Sequence, residues 1–176
     1  DKILLDRNKF IGELYNNFLN NPTERNLVKT LMANYILEGI YFYSGFMFFY
    51  NLERNGKMPG SAQEIRYINR DENTHLWLFR NIIKELQLEE PEIFTEELKE
   101  ELKEMMKIAV EHEISWGHYV IGDSIQGINK NLITDYIKYL GNIRMRAIGL
   151  KEIYEDHITN PAAWVDILAD ANSVKT

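Results

Sequence analysis

The sequence predicts an all-α protein, a bundle of long helices in a single domain covering residues 1–176. Three observations support this. Apolar residues recur at steps of three and four nearly throughout, the period of an amphipathic helix. The four prolines and ten glycines fall mostly between the periodic segments. No low-complexity tract or linker divides the chain, and long helices with short connections pack as bundles.

A first helix is expected from Lys2 to Leu19, stopped by Asn20-Asn21-Pro22. Thr23, with Glu24 in the first turn, opens a second that runs to about Asn51. The segment Asn55-Gly56-Lys57-Met58-Pro59-Gly60 is a turn. Ser61 with Glu64 three residues on reads as a capping box for a third helix ending near Leu88. Beyond Pro91, Thr95 and Glu96 open a fourth that closes at Gly122 or Asp123. A fifth covers Asn131 to Leu150, and Thr159-Asn160-Pro161 starts a terminal piece through Trp164.

Composition narrows the function classes. A net charge of −7 leaves no basic excess to neutralise a phosphate backbone, so no direct nucleic-acid contact is expected. The absence of cysteine excludes disulfides, zinc–thiolate sites and thiol catalysis. The opening DKILLDRNKF does not have the form of a secretory signal. The longest apolar run, Tyr35 to Tyr50, is broken by Glu38, Ser44 and two glycines, so no membrane span is expected. A soluble, cytoplasmic protein is the expectation.

The chemistry lies where a core should be. On the second helix one stripe reads Val28, Leu31, Tyr35, Glu38, Phe42, Gly45/Phe46, Phe49, with Glu38 in its middle. On the third it reads Ile65, Ile68, Glu72, His75, Phe79, Ile82, Leu86, with Glu72 and His75 at consecutive core positions. A buried carboxylate must be neutralised, hydrogen-bonded or bound to a cation. Glu72 and His75 are three residues apart, so both side chains reach one ion from one helix face. Glu-x-x-His plus a lone Glu from a neighbouring helix is half of a two-metal carboxylate pattern, and oxygen with imidazole suits iron or manganese. The residues alone leave a second reading open, in which Glu72 is partly exposed and His75 is a hydrogen-bonded core histidine.

The remaining titratable groups carry less. Glu113 lies near the stripe Leu102, Met105/Met106, Ala109, Trp116, Val120, flanked by His112 and His118. A structural hydrogen bond is expected of it rather than a metal bond, since no second Glu-x-x-His exists in the chain. His157, beside Glu155 and Asp156, is expected on the surface. Glu96, Glu97, Glu100, Glu101 and Glu104, interleaved with Lys99, Lys103 and Lys107, form a solvated face.

Three segments resemble the small subunit of class I ribonucleotide reductase: LEGIYFYSGF (Leu37–Phe46), IRYINRDENTHL (Ile65–Leu76) and NIRMRAIGL (Asn142–Leu150). The KMPGSAQ turn fits the spacing between the first two, and Asn160-Pro161 with Trp164 is similar to that family's closing segment. The resemblance implies a ferritin-like bundle that is partial, lacking the N-terminal helices. Glu38 would be a terminal carboxylate ligand of one metal, Glu72 would bridge two metals, and His75 would complete the second metal's protein ligands. Phe42, Phe46 and Ile68 would pack around the radical site. Asp71, beside Arg70, would hydrogen-bond outward from the ligands into the radical-transfer route. The cofactor would be two iron ions or a manganese/iron pair, with half of its ligands in this chain. The partners would be the large catalytic subunit and a second copy of the small subunit. The function would be to supply the oxidant for reduction of ribonucleotides to deoxyribonucleotides.

The family pattern has a first half that supplies an Asp or Glu, another Glu-x-x-His, and a tyrosine four residues beyond that histidine. None of these is found here, and the position four after His75 is Phe79, so no radical tyrosine is assigned. The chain closes on NSVKT, before the family's docking tail. It therefore reads as an internal or C-terminal portion of a longer subunit, inactive alone. A ferritin-like oxidase or metal-storage protein, and a metal-free helical module, are the competing readings.

Overall fold

The computed structural model describes residues 1–155 and 159–170. All regular elements among them are helical: α1 Lys2–Asn20, α2 Glu24–Gly39, α3 Tyr43–Arg54, α4 Pro59–Glu89, α5 Glu96–Val120, α6 Lys130–Ala147 and α7 Ala163–Asp170. A 3₁₀ turn, Pro91–Ile93, links α4 to α5. His157 lies outside the described residues.

Side-chain caps set most of the helix starts. The Asp1 carboxylate accepts from the amides of Ile3 and Leu4, and the Thr23 hydroxyl accepts from Asn26. Thr95 and Asn129 do the same for α5 and α6. Two expected boundaries are corrected. The third helix starts at Pro59 rather than at a Ser61 box, because Met58 adopts a left-handed conformation (φ 48°) and Pro59 presets the first helical φ. The helix opened at Asn131 in the sequence reading starts at Lys130 and stops at Ala147. There Gly149 (φ 75°) permits the amides of Leu150 and Gly149 to bond back to the carbonyls of Met145 and Arg146.

The long second helix of the sequence reading is two helices, interrupted at residues 40–42. Tyr43 donates to the carbonyl of Ile40, three residues back, at 3.2 Å. The break comes one residue after Gly39, which ends α2.

One core cluster joins Met32 and Ile36 of α2, Ile40 of the break, Met47 and Tyr50 of α3, Leu102 and Met106 of α5, and Ile133 and Ile137 of α6. Close approach of α5 and α6 needs small residues, since a Cβ on Gly141 would come 2.7 Å from Val110 Cγ2. Asn142 anchors the segment after α6, accepting from the amides of Ile153 and Tyr154 at 3.0 Å each. α7 docks on α3 through the Arg54 guanidinium, 4.0 Å from the Trp164 ring centroid.

α4 packs against α2 and α3 along Ala62, Arg66, Asn69, Leu76 and Ile83. This is one position on from the expected stripe, a rotation of about 100° about the helix axis. Ile68 is 45% exposed, and His75 keeps 54% of its side chain exposed, so neither is a core position in this chain. Polar residues occupy the buried side because they find partners there. Arg66 makes two bonds to Glu53, at 2.6 and 2.9 Å, and Asn69 donates to the Tyr50 hydroxyl at 3.0 Å. Ile65, Phe79 and Leu86 of the expected stripe are partly buried against the core, while Ile68, with Tyr67, Trp77 and Leu78, stands on an open flank of α4.

Candidate metal centre

Glu38 sits in the last turn of α2, and Glu72 and His75 sit near the middle of α4, where the two helices lie side by side. One ligand atom from each lies within 4.8 Å of the others. His75 Nδ1 is 2.8 Å from Glu72 Oε2 and 3.9 Å from Glu38 Oε2. The two carboxylates are largely shielded, with 19% and 17% of their side chains exposed, while the imidazole is open on one side.

The electrostatics favour a cation. Burial, a hydrogen bond with Glu72 and the charge of Glu72 together push the Glu38 carboxyl up to about 7, with His75 opposing. The hydrogen bond to Glu72 leads the causes that raise His75. The cluster thus holds protons that a divalent ion can replace, which is how a carboxylate–imidazole site behaves before metal uptake. Two carboxylates and an imidazole converging within bonding reach fit iron or manganese better than a soft-metal or purely hydrophobic role.

Around this cluster the sequence-derived residues are placed unevenly. Phe46 is buried, with its ring centroid 5.3 Å from that of Tyr43 and 6.2 Å from that of Phe42. Phe42 is 41% exposed and shares the open flank character of Ile68. Arg70 and Asp71 are exposed and meet each other at 3.8 Å, and the Asp71 charge contributes to raising His75.

Glu113 lies outside the cluster and is fully buried, as a hydrogen-bonded structural carboxylate. Its Oε1 accepts from the amide of Ser44 at 3.0 Å and from the Ser44 hydroxyl, and Oε2 lies 3.0 Å from Arg7 Nη2. Burial pushes its carboxyl up to about 7 against the pull of Arg7 and Ser44. His112 Nδ1 is 3.0 Å from the Tyr41 hydroxyl, and His118 Nε2 is 3.0 Å from both the Lys130 carbonyl and Thr134 Oγ1. Sequence reasoning missed Arg7, Tyr15 and Arg144. Tyr15 donates to Asn34 Oδ1 at 2.9 Å, one turn before Glu38, and the Glu38 charge helps raise its hydroxyl. Arg144 donates to the Gly39 carbonyl at 3.3 Å and to the Tyr43 hydroxyl at 2.7 Å. Their partners lie up to 106 positions away in sequence, and spacing carries no signal at that range.

Comparison with known proteins identifies the family. Residues 1–161 match the family described as ribonucleotide reductase, small chain. The beta subunit of ribonucleoside-diphosphate reductase from Treponema pallidum is 57% identical over 100% of this chain and 51% of its own length. That from Halalkalibacterium halodurans is 43% identical over 100% of this chain and 51% of its own. The solved ribonucleotide reductase R2 subunit from Clostridium botulinum superposes with a TM-score of 0.91 at 55% identity, covering 96% of this chain and 53% of that one. The fold is accordingly a ferritin-like helical bundle, and the chain spans about half the length of these relatives. On a family match covering nearly all of its residues, the chain belongs to the ribonucleotide reductase small-chain family.

Proposed function

We propose that this chain carries one half of the ligand set of a two-metal carboxylate centre in the small subunit of ribonucleoside-diphosphate reductase. The observation that carries this is the convergence of Glu38, Glu72 and His75 ligand atoms within 4.8 Å from two adjacent helices. In this reading Glu38, Glu72 and His75 would hold the metals, with Glu38 serving one, His75 the other and Glu72 shared between them. Phe46 packs in the core beside the centre, Phe42 and Ile68 would be covered only in the complete subunit, and Asp71 with Arg70 would link the ligands to the surface. The metals, two irons or manganese with iron, would supply the one-electron oxidant that reduction of ribonucleotides requires. The chain's own part is to fix the carboxylates, shield them from bulk water and hold the imidazole against Glu72.

The open flank of α4 supports the same reading. Phe42 and Ile68 are exposed beside two shielded carboxylates, an arrangement expected where further helices of the complete subunit close over the centre. Those helices would bring the remaining ligands and the radical tyrosine. The subunit would act as a homodimer with the large catalytic subunit, in the cytoplasm.

The test uses the complete subunit. Manganese titration followed by electron paramagnetic resonance is expected to show two bound ions per chain, and Glu72→Ala is expected to abolish the coupled pair. Retention of a coupled pair in Glu72→Ala would sink the ligand assignment. Two bound metals without nucleotide reduction alongside the large subunit would favour a ferritin-like oxidase instead.

A further inference from the structure

Buried polar side chains contact both sides of the break between α2 and α3. α3 has Phe42 at its cap position, which offers no side-chain acceptor. The amide of Ser44 in the first turn is instead taken by Glu113 of α5, at 3.0 Å, and the Ser44 hydroxyl donates to the same oxygen. On the other side of the break, Arg7 of α1 donates to the Tyr41 carbonyl at 2.6 Å while pairing with Glu113 at 3.0 Å. Its guanidinium also lies 4.3 Å from the centroid of the Tyr41 ring. Arg7, Ser44 and Glu113 are 6%, 1% and 0% exposed, so these groups have no solvent to fall back on. From the far face Arg144 takes the Gly39 carbonyl and the Tyr43 hydroxyl, gripping both ends of the interruption.

A continuous helix through residues 40–42 would satisfy the Ser44 amide with the Ile40 carbonyl, four residues back. The chain has in its place a bond to Glu113 Oε1, which also accepts from the Ser44 hydroxyl. Glu38 stands two residues before the break begins. Rewinding the break would rotate and shift the end of α2 against α4, and with it the Glu38 carboxylate relative to Glu72 and His75.

We infer that Arg7, Glu113 and Ser44 are positioning residues for the metal ligand Glu38, acting by holding the α2–α3 break open. The inference rests on the metal-centre reading above. The probe is cobalt(II) added to the complete subunit, read by its affinity and its ligand-field absorption bands. Glu113→Ala is expected to weaken cobalt binding by roughly tenfold or more, the range seen when groups supporting a ligand are lost, and to shift the bands. Val110→Ala, a cavity where α5 meets Gly141 of α6, is expected to lose stability while keeping wild-type affinity and bands. If the unpaired Arg7 prevents Glu113→Ala from folding, the double variant Arg7→Met/Glu113→Leu removes both charges and takes its place. Wild-type affinity and bands in whichever of these folds would overturn the inference while leaving the metal centre intact. A wild-type subunit that binds no cobalt would overturn the metal-centre reading, and this inference with it.

Discussion

Glu113 shows how burial decides the behaviour of one carboxyl. Its ordinary value of 4.5 is raised to about 7, chiefly by desolvation. Folding therefore favours the protonated form. The stabilisation from this group is complete below pH 4.5 and fades as the pH rises to about 7, where the folded protein also releases the proton. The gap corresponds to about 3 kcal/mol. Urea unfolding of wild type and Glu113→Gln should show the stability difference moving against wild type by that order between pH 4.5 and 7, then levelling. A difference that does not vary with pH would mean that Arg7 keeps the carboxylate ionised throughout. The sequence placed Glu113 near an apolar stripe and assigned it a structural hydrogen bond, which the structure bears out. It gave no hint of Arg7, because the pairing residue lies on another helix 106 positions away.

Helix starts were legible at Thr23 and Thr95, though the local Ser61 signal misplaced the start of α4. Thr23 and Thr95 cap where expected, since a cap needs only the side chain and the amides two or three residues on. The interruption at residues 40–42 was not legible. LEGIYFYSGF has no proline and reads as an unbroken apolar helix, and the break depends on Arg7, Glu113 and Arg144 arriving from three other helices. Helix contacts also constrain small residues. A Cβ on Gly117 of α5 would sit 2.9 Å from Ile133 Cγ2 and 3.3 Å from Ser44 Cβ. Gly117→Ala should therefore force α5 away from α6 and cost about 1–3 kcal/mol, as overpacking does. A fall in the thermal midpoint is the measure, and a variant as stable as wild type would show that Ile133 yields freely. Because Ser44 is the second neighbour, the same variant also presses on the α2–α3 break.

The molecule as described has a finished core and an unfinished flank. α2, α3, α5 and α6 bury their apolar faces on one another, whereas the stripe of α4 that holds Glu72 and His75 also leaves Ile68 exposed. On the proposed assignment of Glu38, Glu72 and His75 as ligands, metal binding by the isolated residues 1–176 should be far weaker than by the complete subunit. Loss of supporting groups alone shifts metal affinity by about 10–100-fold, so loss of whole ligands should exceed roughly a hundredfold. Parallel manganese titrations by calorimetry would measure it, and equal affinities would mean that Glu38, Glu72 and His75 form a self-sufficient site. The family match covers residues 1–161, and the chain spans about half of each relative's length.

The helical class, the Glu-x-x-His pair and the lone Glu38 could be read from the amino acids, because each depends on contacts within a turn or two of one helix. The resemblance of LEGIYFYSGF, IRYINRDENTHL and NIRMRAIGL pointed to the same family as the comparisons. The face α4 buries was misplaced by one residue, since the stripe through Ile65 and Ile68 was assigned inward whereas Arg66 and Asn69 are buried. Their partners Glu53 and Tyr50 belong to α3, and a polar residue is buried when a neighbouring helix satisfies it. The meeting of Glu38 with His75, the staple on the α2–α3 break and the open flank all arise from how separate helices pack. Packing brings together residues far apart in the chain, and no local spacing encodes those distances.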